Sequence, residues 1–141
     1  MSESIRVGAI GFGYWGPNLI RNLNAAEGAD LVGICDSGDA NRAKAQAAYP
    51  SVPTVSSIDE LLTLGVDAVV IATSAPSHFE LAKTSILAGK HTFVEKPLTL
   101  KSEDAAELVR LADEAGVTLM VGHLMLFHSA VEWIREYIAS G

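Results

Sequence analysis

The run Gly11-Phe12-Gly13-Tyr14-Trp15-Gly16 constrains this chain more than any other feature. A Gly-x-Gly-x-x-Gly spacing means little alone, because glycines are common in turns. Its surroundings carry the argument. The run follows a β-rich stretch, Ile5 to Ile10, and opens a helical stretch from Gly13 to about Ala26. Pro17 falls in the first helical turn, where its missing N–H costs little. An acid, Asp36, lies 20 residues past Gly16, at the end of the next apolar run. A strand, a glycine turn, a helix and an acid in that order form a dinucleotide-binding unit.

Each residue of the unit has a physical task. Gly11 permits the tight turn, Gly13 lets the backbone approach a pyrophosphate, and Gly16 allows close packing. Phe12, Tyr14 and Trp15 belong to the same cofactor-binding turn, whose N–H groups and helix dipole favour phosphate. Asp36 accepts hydrogen bonds from the adenosine ribose hydroxyls and repels a 2′-phosphate. NAD is therefore expected, rather than NADP. The alternative is a tight turn with no ligand and a solvated aspartate.

Beyond the turn, short β-rich runs alternate with amphipathic stretches, the pattern of parallel βαβ units. Strands are expected at Leu31–Cys35, Val52–Val55, Ala68–Ala72, His91–Val94 and Val117–Val121. Helices are expected at Asp39–Tyr49, after the capping-box pattern Ser57-Ile58-Asp59-Glu60, and after Ser77-His78-Phe79-Glu80. Two more fall at Ser102–Ala115 and Ala130–Ala139. The fold class is therefore α/β: one Rossmann domain over residues 1–141, a doubly wound parallel sheet of order 3-2-1-4-5-6, helices on both faces. Right-handed crossovers place every strand's C-terminus on one edge.

The 141 residues are 49% hydrophobic and 19% charged, enough to pack a core. A net charge of −7 argues against nucleic acid and against an anionic membrane surface. The lone Cys35 has no disulfide partner in the chain, which suits a reducing compartment. It reads as a packing residue or the edge of an adenine pocket, with nothing nearby to activate it. The polar N-terminus carries no signal-peptide pattern, and no apolar run spans a bilayer. A soluble cytoplasmic protein is the expectation.

Three further stations fall on the active edge. Thr73 and Ser74, after the fourth strand, are placed along the nicotinamide ribose. His78 reads equally as an exposed or capping histidine and as a ligand contact. Glu95-Lys96-Pro97 follows the fifth strand. A lysine there suits proton transfer beside a bound nicotinamide, and a surface Glu–Lys pair of small value is the alternative. Pro97 restricts Lys96 to extended backbone and is a candidate for a cis bond. His123, after the sixth strand, reads as a pocket wall near the nicotinamide, and His128 as an ordinary residue on the approach to the last helix. No carboxylate or cysteine cluster stands at ligand spacing, so no metal is expected.

Taken together, the glycine turn with Pro17-Asn18, Asp36, the Thr73-to-His78 turn, Glu95-Lys96-Pro97 and Gly122-His123 resemble the Gfo/Idh/MocA oxidoreductases. The resemblance implies that Lys96 is catalytic, by binding and deprotonating a substrate hydroxyl, and that Glu95 contacts the cofactor. It implies hydride transfer between nicotinamide C4 and the C–OH of a sugar, cyclitol or nucleotide-linked sugar. Ser74 stands where the family often has proline. Family members also carry a second α/β domain whose Asp and His complete the substrate site, and no residue here stands in for that pair. The chain thus reads as a cofactor domain, a cut or naturally split piece whose catalysis needs that second domain. The competing class is a non-catalytic NAD sensor or scaffold, since fold alone does not decide function. A homo-oligomer is a third expectation, with Trp133 as a candidate contact off the Ala130–Ile134–Tyr137–Ile138 face.

Overall fold

A computed structural model describes residues 4–141; the polar stretch Met1–Glu3 lies outside them. Six strands form one parallel sheet: β1 (Ile5–Ile10), β2 (Ala29–Cys35), β3 (Thr54–Val55), β4 (Ala68–Ile71), β5 (His91–Val94) and β6 (Leu119–Val121). Their order is β3-β2-β1-β4-β5-β6, as the alternation predicts. The helices are α1 (Gly16–Ala25), α2 (Asp39–Ala48), α3 (Ile58–Thr63), α4 (His78–Leu87), α5 (Ser102–Ala115) and α6 (Ser129–Ala139). The order reverses between β1 and β4, so the strand ends flank a crevice there.

Two apolar cores sandwich the sheet. On one face Ala9, Phe12, Ile20, Ile34, Ala45 and Val52 pack together, with Ile20 from α1 and Ala45 from α2. On the other, Leu61 of α3, Ala82 and Ile86 of α4, and Leu108 of α5 cover Val69, Ile71 and Val94. Each fully buried Ile or Leu contributes about 1.5–3 kcal/mol. Gly8 and Gly33 pair across β1 and β2 and make the floor for α3. A Cβ on Gly33 would stand 2.6 Å from Leu64 and 2.8 Å from Leu61.

Local signals decide the helix ends unevenly. Gly116 closes α5 in the left-handed region (φ 66°), the usual cap. At α3, Ser57 Oγ accepts from Glu60 N at 3.2 Å, half of a capping box. The Glu60 carboxylate reaches back to Ser56 N instead of Ser57 N, and this lowers its pKa. The second box does not form. Ser77 sits in helical conformation as the last residue of a single 3-10 turn, Ala75–Ser77, and its hydroxyl donates to the Ser74 carbonyl. Helix α1 begins at Gly16, three residues later than expected, because Gly13 to Trp15 form the turn itself.

The final helix forms where expected, one residue longer at its start. It packs only on the 3-10 turn before it, Leu124–Phe127, and on no strand. Trp133 does not lie off its apolar stripe: its ring stacks on Tyr137, 5.4 Å between centroids. No helix among the described residues is long and apolar enough to cross a membrane.

Candidate functional site

A cleft of about 930 Å³ opens where β1, β2 and β4 end. Gly11, Gly13, Tyr14 and Trp15 form one wall, and Asp36, Ser37 and Asn41 form another. Thr73, Ser74, Ser77, Glu80 and Leu81 close a third side, with Ser56 to Ile58 behind. The cleft is of the size typical for small-molecule sites.

The glycine turn is held tightly from below. Gly11 adopts φ +103°, a region L side chains avoid, and its N–H donates to the Cys35 carbonyl at 2.8 Å. Gly16 lies against the Gly11 carbonyl, where a Cβ would stand 1.9 Å from that oxygen. Gly13 is different, since it lines the cleft and a Cβ there meets nothing within 4 Å. Among the described residues, no partner bonds the N–H groups of Gly13, Tyr14 and Trp15. Three donors at the head of α1, over a position with no Cβ, fit a pyrophosphate. The residues present therefore fit a dinucleotide.

Asp36 acts within the protein as well as at its surface. Its Oδ2 accepts from Phe12 N at 2.7 Å and its Oδ1 from Gly38 N at 2.8 Å. Asn41 Nδ2 approaches both oxygens, and Arg42 donates to the Asp36 carbonyl at 2.7 Å while pairing with Asp39. The carboxylate thus staples the glycine turn to the end of β2 while lining the cleft, with the long Asn41 contacts the weakest of its bonds. Phe12 needs correction as a contact residue. Its N–H is spent on Asp36, and its buried ring packs edge-on against Tyr49.

One acid, Glu95, and two histidines, His78 and His123, lie elsewhere than expected. Glu95 is 6% exposed and makes no ion pair with Lys96. Its Oε1 accepts from the Trp15 indole Nε1 at 2.8 Å and its Oε2 from Lys96 N at 3.2 Å. Glu95 therefore ties the glycine turn to β5 and stands outside the cleft wall. Gly122 matters for the same reason: a Cβ there would press within 3.1 Å of both Glu95 oxygens. His78 is 1% exposed and does not line the cleft, against the reading of it as exposed or ligand-contacting. Lys96 is exposed, precedes a cis Pro97, and has no side-chain partner among the described residues. His123 is exposed past β6, outside the cleft. The neighbouring His128 caps α6, where Nδ1 accepts from Ala130 N.

Thr73 and Ser74 do line the cleft. Ser77 spends its single proton on the Ser74 carbonyl, so the Thr73 hydroxyl donates to Ser77 Oγ at 2.7 Å. Ser37, Asn41, Ser56, Ser57, Glu80 and Leu81 also line it. No cofactor motif flags them; Ser57 and Glu80 enter the sequence reading only through the two capping-box patterns. Among the described residues no group of three potential ligands stands close enough to hold a metal ion.

Cys35 lines the cleft floor, 3% exposed. Burial, and then the neighbouring Asp36 charge, push its thiol pKa up to about 11. A thiol-directed reagent at pH 7.5 is expected to leave it unmodified in the folded chain and to label it at once in denaturant. Because the folded value is raised, this group's stabilising contribution is complete at neutral pH and is lost as pH rises towards about 11. A stability profile flat across that range, or rapid labelling of the native thiol, contradicts this.

Comparison with known proteins identifies the family. Residues 5–123 match the profile of the GFO_IDH_MocA oxidoreductase family, NAD-binding Rossmann fold. A UDP-N-acetylglucosamine 3-dehydrogenase of Acidithiobacillus ferrooxidans is 36% identical over 94% of the chain and 41% of its own length. A 2,7-anhydro-N-acetylneuraminate hydratase of Escherichia coli K12 is 33% identical over 97% of the chain and 36% of its own length. The WlbA dehydrogenase of Bordetella pertussis, solved with NADH and UDP-GlcNAcA, superposes with a TM-score of 0.90 at 33% identity. That superposition covers 99% of this chain and 43% of the other. The chain spans about two fifths of the length of these relatives.

Proposed function

The chain belongs to the Gfo/Idh/MocA oxidoreductase family, whose NAD-binding Rossmann fold it carries, and from that premise we propose that it is the cofactor half of a dehydrogenase acting on a sugar, cyclitol or nucleotide-linked sugar. One observation carries the reading. The donors of Gly13, Tyr14 and Trp15 meet the Asp36 carboxylate in one cleft, with Lys96 on the same sheet edge.

In this reading the three N–H groups hold the pyrophosphate, and Asp36 takes the adenosine ribose hydroxyls. Thr73 and Ser74, which line the cleft, would run along the nicotinamide ribose. When bound, the nicotinamide supplies a hydride acceptor or donor at C4. Lys96 Nζ takes the proton of the substrate hydroxyl as the carbon gives up its hydride, so the C=O bond forms as the C–H and O–H bonds break. Return of both in the reverse direction is the matching reduction. The groups that grip the substrate are placed in a second domain, in keeping with the greater length of the relatives. A UDP-linked substrate is suggested by the dehydrogenases of Acidithiobacillus and Bordetella.

The test is Lys96→Ala in the whole protein. Turnover is expected to fall by about 10²–10⁴-fold, the usual contribution of a general base. NADH affinity, measured by fluorescence titration, should change by less than about threefold, because the loss concerns the transition state. Surviving turnover removes Lys96 from the chemistry. NADH binding with no oxidoreductase activity in the whole parent protein favours the sensor reading instead.

A further inference from the structure

We propose that His78 is a positioning residue for Lys96, a buried pin that fixes the backbone on the far side of the lysine. His78 heads α4, and its ring lies between two loops of the active edge. Nδ1 stands 2.7 Å from the Pro97 carbonyl oxygen, and Nε2 stands 3.1 Å from the Thr73 carbonyl oxygen. Both partners are acceptors only. The shorter contact, with Nδ1–H donating to the Pro97 carbonyl, is the one that holds the backbone beyond Lys96.

The consequence for Lys96 follows from its two neighbours. On the near side its own N–H is held by Glu95 Oε2, and Glu95 is in turn held by the Trp15 indole. On the far side the next residue's carbonyl is held by His78. The exposed side chain therefore springs from a backbone fastened at both ends by buried polar groups. A lysine has a long, flexible stem, so the placement of its Cα decides where the amine can reach. Packing alone does not call for this arrangement. An apolar side chain fills the same space without leaving a buried ring to be satisfied, since a buried polar group costs free energy unless it is bonded.

The inference rests on the reading that Lys96 stands beside the nicotinamide, and its test separates the two. Lysines of the chain are acetylated with a limiting active ester, with and without saturating NADH, and Lys96 is followed by peptide mass spectrometry. In the parent, NADH is expected to slow acetylation of Lys96 by about tenfold, modest beside the roughly hundredfold that a 1 Å misplacement costs a reacting pair. His78→Asn places its amide N–H near the position of Nδ1 and keeps the Pro97 bond, so protection should persist. His78→Gln reaches towards Thr73, gives up Pro97, and should reduce protection to below about twofold while NADH affinity holds.

The Asn and Gln variants both keep polar bulk in the site and decide the matter even if His78→Ala does not fold. Protection in His78→Gln equal to the parent overturns the proposal, as does equal loss in both variants with NADH still bound. An unprotected Lys96 in the parent overturns the reading of Lys96 itself, and the inference falls with it.

Discussion

Gly16→Ala is expected to cost about 3 kcal/mol of stability, at the upper end of ordinary overpacking, and to remove measurable NADH binding. The added Cβ would sit 1.9 Å from the Gly11 carbonyl oxygen and 2.8 Å from its carbon. Neither atom can retreat cheaply. Gly11 is held at φ +103° with its N–H on the Cys35 carbonyl, and its own missing Cβ would lie 2.6 Å from the Ala72 carbonyl oxygen. The turn must open, and the three donors that it presents move with it. With bonds to charged groups each contributing about 1.5–3 kcal/mol, losing one or two weakens binding by at least tenfold and by more than a hundredfold when two go.

Gly13→Ala is the matching control. Gly13 is not among the glycines of positive φ, and its Cβ meets no protein atom within 4 Å. Stability should stay within about 0.5 kcal/mol of the parent, or rise slightly. NADH affinity should nonetheless fall, because the methyl enters the cleft where a pyrophosphate must approach. Urea denaturation and NADH titration of both variants supply the four numbers. Equal loss of stability in both, or unaltered binding in Gly13→Ala, contradicts this account of the turn.

Asp36→Asn is expected to have the second largest effect, and mainly on cofactor choice. The amide keeps one carbonyl acceptor and the size of the side chain but loses the charge. Hydrogen bonds from ribose hydroxyls to a carboxylate contribute about 1.5–3 kcal/mol, so NADH should bind roughly 10- to 100-fold more weakly. NADPH should lose less, or gain, because the repulsion of its 2′-phosphate is gone and Arg42 lies beside the site. Stability should also fall by about 1–2 kcal/mol, since Phe12 N and Gly38 N both depend on this carboxylate. Asp36→Ala should exaggerate the stability loss. Equal affinity of the parent chain for NADH and NADPH overturns the assignment of Asp36 as the selecting charge.

The glycine turn and Asp36 were legible because their demands are local. A positive-φ turn, an unpaired helix N-terminus and an acid one βα unit further on all leave marks at fixed spacing. The strand order followed for a related reason, since right-handed crossovers leave few ways to wind six alternating units. The partners of Glu95 and His78 were not legible. Trp15 and Glu95 are separated by 80 residues, and His78 and Pro97 by 19. A Glu-Lys pair looks the same in sequence whether it lies on the surface or has one member buried. The second capping-box pattern failed likewise, because Ser77 is helical where a cap is extended and its oxygen accepts from the Thr73 hydroxyl.

What the sequence determined by itself, then, is an α/β chain of the NAD-binding Rossmann class whose first turn calls for glycine at Gly11 and Gly16. Only the tertiary structure decided which side chains face the cleft and which brace it. Asp36 proved to do both, Phe12, Glu95 and His78 to brace, and Lys96 to stand free between two braced neighbours. The physical reason is that backbone conformation is written in short-range residue preferences. The bonding of a buried polar group depends on whichever distant donor or acceptor the folded chain brings within about 3 Å of it.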